Sequence, residues 1–283
     1  MREAIFLIAF CILSLSANSA VIEDTLYLNR DTVVMGNHLV NRCVLNNTST
    51  FDKRNAHLDV EAGDLLELTI YNTDTVDHQF EVANLNTLGT IVAGGSASYS
   101  VFCDDFGTFG IKATDPIGDL LGAFAVLRVG LQNEQAFIWN LWEINDQFSH
   151  DVGNGLVTGI PSTYRPNTNI INGMVYPTTT TDPLTVVTGN VNDSIYISVV
   201  NSGNFVHTLH FHGYHVKIVQ ATQRPDKVNW VKDTNPIYKD ETLTLLLVPD
   251  KEGMYPVHDH NLVSVLTQNT YPGGMITMLN IQP

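Results

Sequence analysis

The sequence predicts an all-β chain made of two tandem β-sandwich domains, and three observations carry that prediction. Short apolar or alternating runs rich in Val, Ile and Thr recur between turn residues, at 65–71, 123–129, 194–200 and 242–248, the spacing of sandwich strands rather than of βαβ units. Helical period is hard to find past the first twenty residues. The two halves also repeat one another. Asn72 precedes His78 by six positions as Asn201 precedes His207, and a late glycine-led strand follows in each half, at Gly107-Thr108-Phe109 and at Gly253-Met254-Tyr255. With 283 residues, each half is long enough to bury a core of its own.

In chain order, residues 1–20 read as a secretory signal peptide: Arg2, an apolar run over 4–15, and a small-x-small end at Ala17-Asn18-Ser19. Cys11 lies inside it. Cleavage near Ala20 or Val21 would send the mature chain to a secreted or periplasmic location; an uncleaved anchor is the alternative. No other stretch reaches the roughly 20 apolar residues of a membrane-spanning helix. Residues 21–130 form the first domain. Residues 131–169, polar and Gly/Pro-marked, read as an inter-domain linker across a domain surface, with Trp139 and Trp142 packed in it. Residues 170–283 form the second domain.

Cys43 and Cys103 remain after removal of Cys11. In an oxidising compartment the expectation is a disulfide closing a loop of about 60 residues, worth about 4 kcal/mol by loop entropy. The other reading, Cys103 as a copper thiolate, fails for want of a histidine at ligand spacing after it. The net charge of −15, from 14 basic and 29 acidic residues, argues against nucleic acid and anionic membrane surfaces as partners.

Five of the ten histidines fall in two clusters, His207-Thr-Leu-His210-Phe-His212 and His258-Asp259-His260. Side chains alternate along a strand, so His210 with His212, and His258 with His260, form two parallel pairs of imidazoles. Such pairs suit copper, zinc, iron or nickel. Four clustered imidazoles without a metal would repel when protonated, so a metal site is expected at His210, His212, His258 and His260. His215 falls on the other face, while His38, His57 and His150 read as surface or structural residues.

The surroundings of these clusters resemble the last domain of the multicopper oxidase family. The match runs from Ile171-Asn172-Gly173 and Tyr176-Pro177, through 194–201 and the 207–213 motif, to Asp233-Thr234, Gly253-Met254-Tyr255, His258-Asp259-His260 and Gly273-Gly274-Met275. The resemblance implies cupredoxin-like Greek-key domains of the two-domain, laccase- or nitrite-reductase-like type. It would assign His207 to a mononuclear blue copper and His210, His212, His258 and His260 to a trinuclear copper cluster. In the family, electrons enter at the blue copper from a small-molecule or metal-ion reductant and pass to the cluster, which reduces oxygen to water.

The chain departs from the family at the blue site. Asp259 stands where the family has the copper-binding cysteine, and Ser264 and Asn269 fall where a second histidine and the axial residue belong. The expectation is a dismantled blue site in which His207 and Asp259 form either a hydrogen-bonded pair or a weak metal site, with His215 and His78 as further candidates. The other His-x-His pairs of the family's cluster are missing. By the internal correspondence His78 matches His207, Glu81 and Ala83 match His210 and His212, and Ala113 takes the cysteine position, so domain 1 is expected to lack the family's metal. Related two-domain enzymes are trimers, so a homotrimer is implied in which a neighbour could add His78 or Glu81. The expected function is a secreted copper oxidoreductase with a reduced metal set. A non-catalytic copper or zinc binder and a degenerate cupredoxin pair used in adhesion or assembly are the alternatives.

Overall fold

The computed structural model describes residues 19–82, 86–131, 135–267 and 270–283. The signal-peptide assignment, Cys11, Ala83 and Asn269 fall outside them, Ser19 and Ala20 excepted. Among the described residues no helix is long and apolar enough to cross a membrane.

Domain 1 contains β1 (Val21–Met35), β2 (His38–Asn46), β3 (His57–Val60), β4 (Asp64–Asn72), β5 (His78–Val82), β6 (Asn86–Ile91), β7 (Ser96–Cys103), β8 (Gly107–Ala113), a short helix α1 (Pro116–Leu120) and β9 (Phe124–Val129). Domain 2 is built from β10 (Phe137–Ile144), α2 (Asp146–Gly153), β11 (Thr168–Ile171), β12 (Val187–Asn190), β13 (Ile195–Asn201), β14 (His207–Phe211), β15 (Val216–Ala221), β16 (Val231–Lys232), β17 (Thr234–Ile237), β18 (Thr242–Leu247), β19 (Gly253–Asp259) and β20 (Ile276–Gln282). Each domain packs two sheets face to face. The orders are β2-β1-β4-β7 and β3-β9-β8-β5-β6 in domain 1, and β11-β10-β13-β18-β15-β16 and β12-β20-β19-β14-β17 in domain 2.

The sheets repeat strand for strand. β1 runs parallel to β4 with Leu28 opposite Asn72, and β10 runs parallel to β13 with Leu141 opposite Asn201. Phe80 lies opposite Ala113 as Leu209 lies opposite Asp259. The paired asparagines do the same work in both halves. Asn72 Nδ2 donates to the carbonyls of Val76 (2.8 Å) and Ile91 (3.0 Å), and Asn201 Nδ2 to those of Phe205 (2.7 Å) and Ile237 (2.9 Å). Each thereby ties the loop before the histidine strand to the strand beyond it.

The stretch 131–169 holds more than a connection. Its run Phe137–Ile144 is a strand buried along its whole length. Phe137, Trp139 and Leu141 point into the core of domain 2, while Trp142 and Ile144 point into that of domain 1. A strand covered on both faces reads as an unbroken apolar run without alternation, which hides its period in the sequence. The domains also meet along a seam of hydroxyls, where Thr108 Oγ1 bonds Ser198 (3.0 Å) and Thr244 (2.8 Å).

The expected disulfide is absent: Cys43 and Cys103 are free and buried. The topology forbids the bond. β1 and β4 lie between β2 and β7, so the two cysteines stand three strand spacings apart, about 14 Å. Cys43 is also opposite Arg30 in β1, whereas Cys103 is opposite Asp64, at the other end of the β1–β4 pairing. A disulfide needs Cα atoms within about 7 Å.

Candidate metal centre

β14 lies between β17 and β19, with His210 opposite His258 and Leu209 opposite Asp259. Alternation divides the motif between two faces. His207, Leu209, Phe211, Val257 and Asp259 are buried inward; His210 and His258 are half-buried on the outer face, with His212 and His260 exposed beside them just past the strand ends. His215 is exposed farther along the loop.

On the outer face the four imidazoles form one patch. Ring centroids are 4.7 Å apart for His210 and His212, 5.2 Å for His212 and His258, 5.3 Å for His210 and His260, and 5.6 Å for His210 and His258. Nε2 of His212 and Nε2 of His258 approach to 3.1 Å. Two imidazoles bound to one ion at about 2 Å and a near-tetrahedral angle stand roughly 3.3 Å apart, so this pair is set at ligand spacing. His258 Nδ1 lies 2.9 Å from the backbone oxygen of Asp259. A carbonyl can only accept, so Nδ1 carries the proton and the lone pair of Nε2 faces outward. His210 Nδ1 is 2.8 Å from Thr234 Oγ1, which leaves its Nε2 free. Partial burial, then the neighbouring His210, His258 and His260, lower the pKa of His212, favouring the neutral, ligating form.

The donor chemistry therefore fits copper. The four imidazoles do not converge on one point, since no three bring donor nitrogens within 4.8 Å of one another. The patch is open, and its members would be shared among more than one ion or completed from outside. Replacing Thr234 with valine, which removes the hydroxyl that orients the His210 ring, is expected to weaken copper binding by about 10- to 100-fold, as loss of a partner behind a metal ligand does. Copper titration of the folded variant measures it; unchanged affinity would remove His210 from the site.

Behind this patch, the inward face holds no blue-copper site. His207 Nδ1 is 2.8 Å from Asp259 Oδ2, and its Nε2 is 2.9 Å from Glu143 Oε2. All three side chains are essentially inaccessible. Asp259 Oδ1 also accepts the backbone N–H groups of Thr208 (2.9 Å) and Asn261 (3.1 Å), while Glu143 Oε1 accepts those of Asn204 (2.7 Å) and Phe205 (3.1 Å). Burial alone would lower the pKa of His207, but the bonds to Asp259 and Glu143 outweigh it and raise it to about 9. The imidazolium is the resident cation, both ring nitrogens are engaged, and the thiolate is missing. Ser264 is buried, its carbonyl accepting from Met275 N at 2.9 Å. These residues do not fit blue copper.

Domain 1 builds the same clamp from other positions. His78 Nδ1 is 2.9 Å from Asp115 and its Nε2 3.0 Å from Asp74. Asp115 lies two residues beyond Ala113, the equivalent of Asp259. By the register of the parallel pairs, the equivalent of Glu143 is Arg30, and the equivalent of Asp74 is Gly203. Gly203 is what admits Glu143, because a Cβ there would lie 1.9 Å from Glu143 Oε2. Glu81 and Lys112, the equivalents of His210 and His258, face each other as an ion pair at 3.3 Å. His78 is fully buried, which rules it out as a ligand lent to a neighbouring subunit, and Glu81 is already held by Lys112.

The sequence reading did not find Glu143, Asp74, Asp115 or Thr234 as partners. Glu143 had a signal, a lone acid inside the apolar run Phe137–Ile144, since a charge so placed must be paired. Asp74 and Asp115 sit in ordinary turn sequences that give none.

Residues 154–271, which include both histidine clusters, match the family described as multicopper oxidase. No curated protein matches the sequence. Among solved structures, the blue copper oxidase from Nitrosomonas europaea superposes with a TM-score of 0.75 at 18% identity, over 92% of this chain and 86% of that one. The copper nitrite reductase of the same organism gives 0.69 at 17%, over 93% and 94%. A laccase from Botrytis aclada gives 0.70 at 14%, over 93% of this chain and 53% of the laccase. At such identities the likeness is one of fold, an all-β pair of cupredoxin-type domains. The matched segment, 154–271, is the part of the chain whose sequence is similar to the multicopper oxidase family.

Proposed function

We propose that the outer histidine face of domain 2 binds copper, and that the chain is a secreted or periplasmic multicopper-oxidase-like oxidoreductase with a reduced metal set. The observation that carries this reading is the patch itself: four imidazoles at 4.7–5.6 Å around His210 and His212, with two Nε2 atoms 3.1 Å apart. His212 and His258 hold one ion between them, and His210 and His260 flank it. Copper on imidazoles with open coordination positions supplies one-electron redox chemistry. Because the patch is open and exposed, further ligands come from outside the domain, as they would in a homotrimer that sets this face against a neighbour. His78 is buried and Glu81 is paired, so a neighbour would have to use other groups. A small-molecule or metal-ion reductant must meet the patch directly, since the thiolate through which the family takes in electrons is replaced by Asp259.

That last observation favours a second reading, a copper-binding protein without turnover. Metal analysis and paramagnetic resonance of the copper-loaded protein, with oxygen-dependent oxidation of a phenol or of ferrous or cuprous ion, separate the two. The first reading expects about one or more coppers per chain, a type-2-like signal without an intense band near ~600 nm, and turnover that disappears in His212→Ala and His258→Ala. Copper lost from these variants but silent in the assay would leave the second. Copper retained in both variants would sink the site.

A further inference from the structure

Domain 1, though it lacks the family's cysteine, has a thiol beside its clamp histidine. Cys43, from the middle of β2, Asp74 and His78 each offer a ligand atom within 4.8 Å of the others, and all three are buried. They are the one such set of His, Cys, Asp and Glu donors among the described residues. Domain 2 has no counterpart, since the register of β10 with β11 puts Asn169 where β1 and β2 put Cys43.

We propose that Cys43, Asp74 and His78 are a buried site for a divalent thiophilic cation, zinc or copper(II), which shares only the His78 position with the family's copper set and takes its thiolate and carboxylate from elsewhere.

Four features support it. The residue types are a thiolate, an imidazole and a carboxylate, the donors that zinc and copper share. His78 Nε2 and an Asp74 oxygen are 3.0 Å apart, the spacing of two ligands on one ion. His78 Nδ1 is 2.9 Å from Asp115, whose other oxygen caps α1 through the Gly118 N–H at 2.9 Å. A metal-bound histidine characteristically gives its second ring N–H to such a carboxylate. Finally, Cys103 donates its thiol to the Val101 carbonyl at 3.6 Å, whereas Cys43 has no such bond among the described residues.

The charges balance for a divalent ion. Arg30, 3.2 Å from Asp74, supplies one positive charge beside the carboxylates of Asp74 and Asp115. With Cys43 bound as thiolate and His78 as neutral imidazole, a divalent ion brings the cluster to zero net charge. A monovalent ion would leave it one unit negative in a dry interior, which is costly.

The site is inaccessible in the folded chain, so the ion must enter during folding. Mature protein would be unfolded, stripped of metal and refolded with Co2+, a spectroscopic substitute for zinc, and then separately with Zn2+ and with Cu2+. The expected result is a thiolate-to-cobalt charge-transfer band in wild type and Cys103→Ser, absent in Cys43→Ser and weakened in Asp74→Asn. Metal analysis would show one more ion in wild type than in Cys43→Ser for whichever of zinc and copper is the native occupant. His212→Ala with His258→Ala should keep the band, which separates this site from the outer patch. Wild-type protein that refolds without a thiolate band would overturn the proposal, whatever the variants do, and so would a band that survives in Cys43→Ser.

Discussion

Replacing His207 with alanine is expected to destabilise the fold by about 3–5 kcal/mol, the cost of stranding buried charges after one partner is removed. Asp259 and Glu143 would face each other across the space left by the ring, both fully buried. Their backbone donors, Thr208, Asn261, Asn204 and Phe205, would remain, but no cation would. For a chain of this size, such a loss lowers the melting temperature by roughly 10 °C. The effect should depend on pH in a definite direction. The folded-state pKa of His207 is raised to about 9. Its contribution is therefore complete below the unfolded value of about 6.5 and is lost as pH rises through 9, a difference of about 3 kcal/mol. Asp259, whose pKa lies below its ordinary value despite burial because His207 and two backbone N–H groups bond it, adds the opposite limb. Its share is present above about 3.9 and is lost as pH falls through the lowered value. Thermal melts of wild type and His207→Ala between pH 6 and 9.5 measure the destabilisation and its alkaline limb. A gap that stays constant across that range would mean that His207 is neutral in the fold.

The second large effect lies in the other buried ion pair of domain 2. Lys227 Nζ is 2.8 and 2.7 Å from the two oxygens of Glu241 and 2.8 Å from the Pro236 carbonyl, and both side chains are inaccessible. Glu241 also accepts the Tyr238 N–H at 2.9 Å. The pair closes the turn between β17 and β18, and β17 is the strand that carries Thr234 to His210. Lys227→Met leaves Glu241 buried without its cation and is expected to cost about 3–5 kcal/mol. The double variant Lys227→Met, Glu241→Leu should recover most of it, because two apolar side chains of similar volume replace a pair that is itself costly to bury. Chemical denaturation of the two single variants and the double variant gives the coupling. If the double variant is as unstable as the sum of the single ones, packing rather than charge holds this turn.

The all-β class, the repeat and the same-face pairs His210 with His212 and His258 with His260 were legible because they rest on local signals: alternation, turn residues, and histidines two apart on strands. His207 and Asp259 were legible as neighbours through the family pattern and the strand face they share. What stayed hidden depended on which strands are neighbours. Cys43 and Cys103 looked like partners because composition and compartment count cysteines without knowing that β1 and β4 stand between them. Phe137–Ile144 looked like part of a linker because a strand buried by one domain on each face shows no period. Glu143 reaches His207 across 64 residues of sequence, and its equivalence to Arg30 emerges only from the register of two parallel strand pairs. The same clamp made from non-equivalent positions is invisible to any comparison of the halves position by position.

Asp259 belongs to both faces of its strand at once. Its carboxylate points inward to His207 at 2.8 Å, while its own carbonyl oxygen receives the Nδ1 proton of His258 on the outer surface at 2.9 Å. The charge network of the core and the metal-facing imidazoles thus share a single peptide as their pivot. Any substitution that shifts the Asp259 backbone to relax the inner clamp therefore also shifts the acceptor that fixes the proton of His258 on Nδ1.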